Sequence, residues 1–136
     1  MASTSNKTLS NKILAAAIGR RKTAVVSVRL TSGKGEITVN DVAAEKYFPV
    51  SQRYNLPFKI TGANKYAVSA RVNGGGQTGQ LDALVLGIAR ALVKIKEDFR
   101  KPLRDAGLLT RDSRERQRRM IGTGGKARRR KPSPKR

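Results

Sequence analysis

From residue 23 onward the chain alternates. Ala24, Val26, Val28 and Leu30 are apolar, and Thr23, Ser27 and Arg29 are polar, with Val25 blurring the pattern without breaking it. A period of two residues describes a strand with one face against a core. Residues 16–18 extend this strand backwards. Ser32-Gly33-Lys34-Gly35 has turn composition, and Ile37 and Val39 then alternate again. The pattern therefore predicts an antiparallel hairpin that ends at Asn40-Asp41. Residues 42–48 read as a helical turn, and Pro49 and Pro57 bound a short irregular or helical piece. Tyr66, Val68, Ala70 and Val72 alternate with Lys65, Ser69 and Arg71, which predicts another strand, ended by Asn73-Gly74-Gly75-Gly76.

The period then changes. Leu81, Leu84, Val85, Ile88, Leu92, Ile95 and Phe99 follow helical spacing, an amphipathic helix of about five turns that Pro102 brings to its end. Past residue 108 the periodicity fades. Asp112 and Glu115 stand at capping-box spacing for a short helix through Met120. Gly122, Gly124, Gly125, Pro132 and Pro134 then forbid regular structure. The expected class is α+β, a mixed sheet of about four strands packed on helices. The organisation is a flexible leader over residues 1–12, a globular domain over 13–107 and a long basic tail over 108–136. The tail has too little apolar area to offset its ordering entropy, so it is expected to be disordered until a partner orders it.

Charge turns this pattern into a functional reading. The 136 residues include 30 Lys and Arg against 9 Asp and Glu, a net charge of +21. Such a chain repels itself, and a polyanionic partner is the simplest account of it. The charge is concentrated. Residues 108–136 hold 12 basic and 2 acidic side chains, and no acid occurs from Arg116 onward. The competing polyanion is an anionic membrane surface, but no apolar run approaches the roughly 18 residues that span a bilayer. There is no Cys and no His. Disulfides, thiolate or imidazole metal sites and the commonest general acid–base residue are therefore excluded. Nucleic acid, and RNA in particular, is the expected partner; no catalysis, cofactor, metal or membrane is expected.

Three groups of residues carry candidate phosphate chemistry. The tail cations are Arg111, Arg114, Arg116, Arg118, Arg119, Lys126, Arg128, Arg129, Arg130, Lys131, Lys135 and Arg136. Arg grips phosphate through two parallel hydrogen bonds and Lys supplies a point charge. The bland alternative for this tail is a solubility or localisation segment. The second group is Gly74-Gly75-Gly76-Gln77-Thr78-Gly79, which spells G-x-G-x-x-G between a strand and a helix. The acid that should end a second strand is missing, since Glu97 falls inside the predicted helix, and no further strand follows. That leaves a tight strand-to-helix turn, or a backbone cradle for an RNA phosphate at the helix N-terminus. The third group is Arg20-Arg21-Lys22 at the mouth of the first strand, where at least one cation must face solvent. Tyr66 is in phase with the core, and Tyr47, Phe48, Tyr54 and Phe58 pack near turns, so no aromatic platform for stacking bases is expected.

Several blocks in order resemble one family. Gly19-Arg20-Arg21-Lys22-Thr23-Ala24, Gly35-Glu36-Ile37-Thr38-Val39-Asn40, Tyr47-Phe48-Pro49, residues 72–80, residues 87–92, residues 106–112 and residues 126–130 with the final Lys135-Arg136 are similar to the small-subunit ribosomal protein nine (universal S-nine) family. The resemblance implies a fold like the second domain of ribosomal protein S-five, with a left-handed crossover. It implies binding to small-subunit ribosomal RNA in the head, beside neighbouring head proteins, in a cytoplasmic or organellar ribosome. It also implies a tail that reaches the peptidyl-site transfer RNA, where Lys135 and Arg136 approach the anticodon-stem backbone. The chain departs from the pattern at Pro132-Ser133-Pro134, where an aromatic is usual, at the glycine-rich residues 120–125 and in residues 1–12.

Overall fold

The computed structural model describes residues 12–121 of the chain. The expectations for the leader through residue 11 and for the tail beyond residue 121 lie outside the described residues. Five strands, β1 (Ile13–Arg21), β2 (Ala24–Ser32), β3 (Ile37–Val39), β4 (Val42–Ala43) and β5 (Tyr66–Asn73), form one sheet in the order β1-β2-β5-β3-β4. Four helices, α1 (Ala44–Tyr47), α2 (Leu56–Thr61), α3 (Gln77–Ile95) and α4 (Arg100–Asp105), complete it. The α+β class with a mixed sheet on helices is the one expected, with one strand more.

Two strand expectations are corrected. Residues 16–18 do not extend β2; they belong to β1, which folds back at Lys22-Thr23 so that Arg21 lies opposite Ala24. The inward positions are Ala15, Ala17 and Gly19 in β1, but Ala24, Val26, Val28 and Leu30 in β2. Odd numbers give way to even ones, and a flat strand cannot change phase without a bulge or a turn. Two-residue hairpin loops need positive φ at one or both central residues, and Lys22 supplies it at +52°.

The second correction concerns β3. It does not pair with β2, because β1 and β5 occupy both edges of β2. Residues 33–36 instead carry the chain past β5, and β3 pairs with β5 in parallel. The Asn40 side chain then continues this pairing, donating from Nδ2 to the Val72 carbonyl at 3.1 Å and accepting the Val72 N–H at 2.9 Å.

The helical expectations also shift at their ends. α3 stops at Ile95, because Lys96 is extended, and Phe99 lies in a separate 3-10 turn. Pro102 sits in the first turn of α4, where a missing N–H leaves no hydrogen bond unmade. No helix forms over residues 112–120. Its carboxylate takes the backbone N–H of Arg114, two residues on, at 3.0 Å. This local turn competes with the cap that Glu115 would have completed.

α3 lies across the inner face of the sheet. Leu84, Ile88 and Leu92 are fully buried, and each contributes roughly 2 kcal/mol by leaving water. Every residue from 83 to 89 is buried. The sheet covers one side of the helix; α2, with Phe58, and Leu103 of α4 join the same core. Contact with the sheet is set by small residues. A β-carbon added to Gly19 would fall 1.8 Å from the Ala83 carbonyl oxygen, and one added to Gly87 would fall 2.7 Å from a Val28 methyl. On the outer edge of β1, Arg90 donates to the Ile18 carbonyl at 3.0 Å and Lys94 to the Ala16 carbonyl at 2.7 Å. These bonds occupy acceptors that an edge strand otherwise offers to another chain.

The Gly19 contact yields a paired prediction. Gly19→Ala forces α3 off the sheet and destabilises the domain by about 3 kcal/mol or more, the upper range for overpacking. Gly76→Ala, where nothing lies within 4 Å of the added carbon, costs less than about 1 kcal/mol, the scale of an N-cap change. Urea unfolding of both variants measures the difference.

Candidate nucleic-acid interface

The glycine turn is built by β5 running into α3. Gly74 and Gly75 take φ of +73° and +70°, a region that side chains with a β-carbon rarely occupy. Their backs press on the β1–β2 hairpin. A β-carbon on Gly74 would reach 2.9 Å from the Thr23 carbonyl oxygen, and one on Gly75 would reach 2.9 Å from the Ala24 β-carbon. Gly76 caps α3 without a side-chain hydrogen bond, and the first turn of α3 holds no acid. The N–H groups at the start of that helix are therefore free of side-chain acceptors. Gln80 braces the turn, donating to the Gly74 carbonyl at 3.0 Å and accepting from the Tyr47 hydroxyl at 3.1 Å.

Two of the groups singled out in the sequence are thus one place. Arg20 and Lys22 are exposed on the hairpin, and the Lys22 δ-carbon lies 3.9 Å from where a β-carbon of Gly79 would sit. Cations of the β1–β2 hairpin flank the glycine turn and the positive end of α3.

The third group begins at the same end. After α4 the chain crosses α3, and a cleft there is lined by Arg20, Arg21, Val85, Leu86, Leu108 and Asp112. Leu108 and Leu109 pack against the core, so the chain remains on the domain beyond the expected boundary at residue 107. Arg21 fixes it. Its guanidinium donates to the Arg114 carbonyl at 2.7 Å, and it pairs with the Asp112 carboxylate at 3.1 Å and the Asp82 carboxylate at 3.7 Å. Arg53 takes the other oxygen of Asp82 at 3.0 Å. Only 13% of the Arg21 side chain is exposed, so this cation is occupied internally. Arg114 makes a two-pronged pair with Asp112, at 3.0 and 2.7 Å. Arg111, Arg116, Arg118 and Arg119 are exposed. Lys126, Arg128, Arg129, Arg130, Lys131, Lys135 and Arg136 lie outside the described residues.

Asp82 and Arg53 were not evident from sequence. Asp82 is the lone acid of α3, which marks it in retrospect, but its partner Arg21 lies in another element. Among the described residues, no cluster of acids has the geometry of a metal site, and no helix is long and apolar enough to cross a membrane.

The Arg114 side chain first, its backbone N–H next, and then the charges of Arg114 and Arg21 hold the Asp112 carboxyl well below the usual carboxylate range. A depressed folded-state value makes the contribution complete above the unfolded pKa, about 3.9, and lost as pH falls through the lower folded value. Amide exchange of residues 108–114 is therefore flat from neutral pH to about 4, once corrected for intrinsic rates. Asp112→Asn speeds it across that whole range, and Arg21→Met does so more strongly because it removes the cation that holds both the Asp112 carboxylate and the Arg114 carbonyl to the domain. Equal exchange in all three proteins would show that the ion network does not hold the segment.

Known proteins resemble most of this sequence. The chain is 46% identical over 121 residues to the small ribosomal subunit protein uS9 of Mesoplasma florum, covering 86% of this chain and 92% of that protein. It is 48% identical over 110 residues to the protein of the same name from Cytophaga hutchinsonii, covering 78% and 86%. It is 41% identical over 120 residues to the small ribosomal subunit protein uS9c of Gracilaria tenuistipitata var. liui, covering 85% and 88%. The family model described as ribosomal protein S9/S16 matches residues 19–136, from the glycine under α3 through the whole basic tail, and the chain belongs to that family.

Proposed function

We propose that this protein is a structural constituent of the small ribosomal subunit, that it docks its folded domain on ribosomal RNA, and that its tail reaches the peptidyl-site transfer RNA. It performs no catalysis; membership of a ribosomal protein family supports that role. The observation that carries the reading is the convergence of Arg20, Lys22, the turn at Gly74, Gly75 and Gly76, and the root of the tail on one end of the molecule. Contacts of this kind hold phosphates and set position without reading sequence. The helix N-terminus behind Gly76 favours an anion through its N–H groups and dipole. Arg21 positions the tail rather than contacting RNA, since its donors are spent on Asp82, Asp112 and Arg114.

From this root the cations Arg111, Arg116, Arg118, Arg119, Lys126, Arg128, Arg129, Arg130 and Lys131 run along ribosomal RNA, with Arg114 at their start. Lys135 and Arg136 stand last and meet the transfer RNA. The protein works inside the ribosome, beside other proteins of the subunit head.

The division of labour within the tail is testable. Deleting Lys135 and Arg136 leaves incorporation into small subunits intact and weakens retention of peptidyl-site transfer RNA, measured by filter binding to purified subunits. Subunits that fail to take up the truncated protein would assign the terminal pair to ribosomal RNA anchorage instead.

A further inference from the structure

Among the described residues, the helices and the tail root occupy one face of the sheet and leave the other bare. Inward residues of β1, β2 and β5 are buried, while Ala16, Ile18 and Arg20, Val25, Ser27 and Arg29, and Ser69, Arg71 and Asn73 are exposed. None of the five strands contains an acid. Three arginines stand on the bare face. Arg29 lies opposite Ala16 on one side and Ser69 on the other, Arg71 lies opposite Ser27, and Arg20 lies opposite Val25. Arg29 and Arg71 are thus diagonal neighbours, with α-carbons about 7–8 Å apart.

Their lack of partners, shared with Arg104 and the exposed arginines of the tail root, separates them from the arginines that brace the fold. Arg21, Arg53, Arg90, Arg100 and Arg114 each bond to a carboxylate or a carbonyl of the protein. Arg20, Arg29 and Arg71 make no such bond among the described residues. Ala16, Ser27 and Ser69 between them are small, so the guanidinium groups stand clear of a level surface. Tyr66, the lone aromatic of the strands, packs against the core on the other face, so nothing here stacks bases.

We propose that this bare sheet face is a second RNA-docking surface, on which Arg29 and Arg71, with Arg20 at its end, hold backbone phosphates of folded RNA. Three unpaired, planar, phosphate-matching donors on a face without acids complement a polyanion. The apolar exposure here, at Leu14 and Ile18 of β1 and at Val25 near the start of β2, lies toward the β1 side and leaves β5 and the rest of β2 to charge. The inference rests on the reading of the chain as a ribosomal RNA binder, and it adds that the domain grips RNA from two sides. The end with the glycine turn holds one segment, the sheet face holds another through Arg29 and Arg71, and Arg20 stands where the two surfaces meet.

The test uses the full chain and purified small-subunit ribosomal RNA as probe, with affinity measured across a salt series. The double variant Arg29→Gln, Arg71→Gln binds about tenfold to a hundredfold more weakly and loses about two from the slope of log affinity against log salt, one for each phosphate contact. Arg29→Lys, Arg71→Lys restores the slope but not the full affinity, because charge returns without the two-pronged geometry. Both pairs are exposed, and thermal unfolding of each variant confirms that the fold is intact. Unchanged affinity and slope in the Gln variant, with steep salt dependence in the parent, would overturn the sheet-face surface and leave the proposed function standing. Normal RNA affinity combined with failure to enter small subunits would overturn it in favour of a protein neighbour. A parent chain that does not bind the RNA would instead refute the proposed function itself.

Discussion

The backbone-to-backbone approach of α3 to β1 governs everything else in this molecule. No β-carbon fits between Gly19 and the Ala83 carbonyl, and Gly87 meets Val28 just beyond it. Interiors pack at near-crystalline density, so such a contact admits one arrangement. It fixes α3 along the hairpin, which puts the helix N-terminus beside Lys22 and the glycine turn against Thr23 and Ala24. It also leaves the far side of α3 open for the segment after α4, and Leu108 and Leu109 complete the cover. The hairpin cations, the glycine turn and the root of the tail meet at one end because a glycine lets the helix sit down.

Charge is then divided by use. The acids are few, and two of them, Asp82 and Asp112, are committed to holding the chain's own arginines. Arg21 and Arg53 are engaged there, and Arg90 and Lys94 seal the edge of β1. What remains free faces outward: Arg20 and Lys22 on the hairpin, Arg29 and Arg71 on the sheet, Arg111 and Arg116 on the tail. A strongly cationic domain of this kind folds against its own repulsion, and the internal ion network places the tail root before any partner arrives.

Much of this was legible in residue patterns. The period of two from Ala24 to Leu30 and from Tyr66 to Val72, and the helical spacing from Leu81 to Ile95, located β2, β5 and α3. Gly74-Gly75-Gly76, between a period of two and a helical period, marks the joint between strand and helix in the sequence as in the fold. Pairing was less legible, because a period of two reports which face is buried and not which strand lies alongside. The linker at Ser32 and Gly33 therefore read as a hairpin, while the true hairpin hid in Arg21-Lys22-Thr23-Ala24, where a lysine rather than a glycine takes the positive φ. The unbroken apolar run over residues 13–18 carries no alternation, so the change of inward phase between Ala17 and Ala24 shows only in the folded chain. The candidate site was legible as three separate basic or glycine-rich groups. Their meeting, and the diversion of Arg21 to Asp82 and Asp112, depend on contacts between distant elements that local spacing does not encode.

The central claim is that this chain is a fixed part of the small ribosomal subunit, held on RNA by both domain and tail. Sedimentation of a cell lysate through sucrose gradients at low and high salt, following the protein by antibody, tests it most directly. RNA contacts spread over both domain and tail, as that claim has them, predict migration with the small subunit at both salts. Release to the top of the gradient at high salt would contradict the claim and point to a freely exchanging RNA binder.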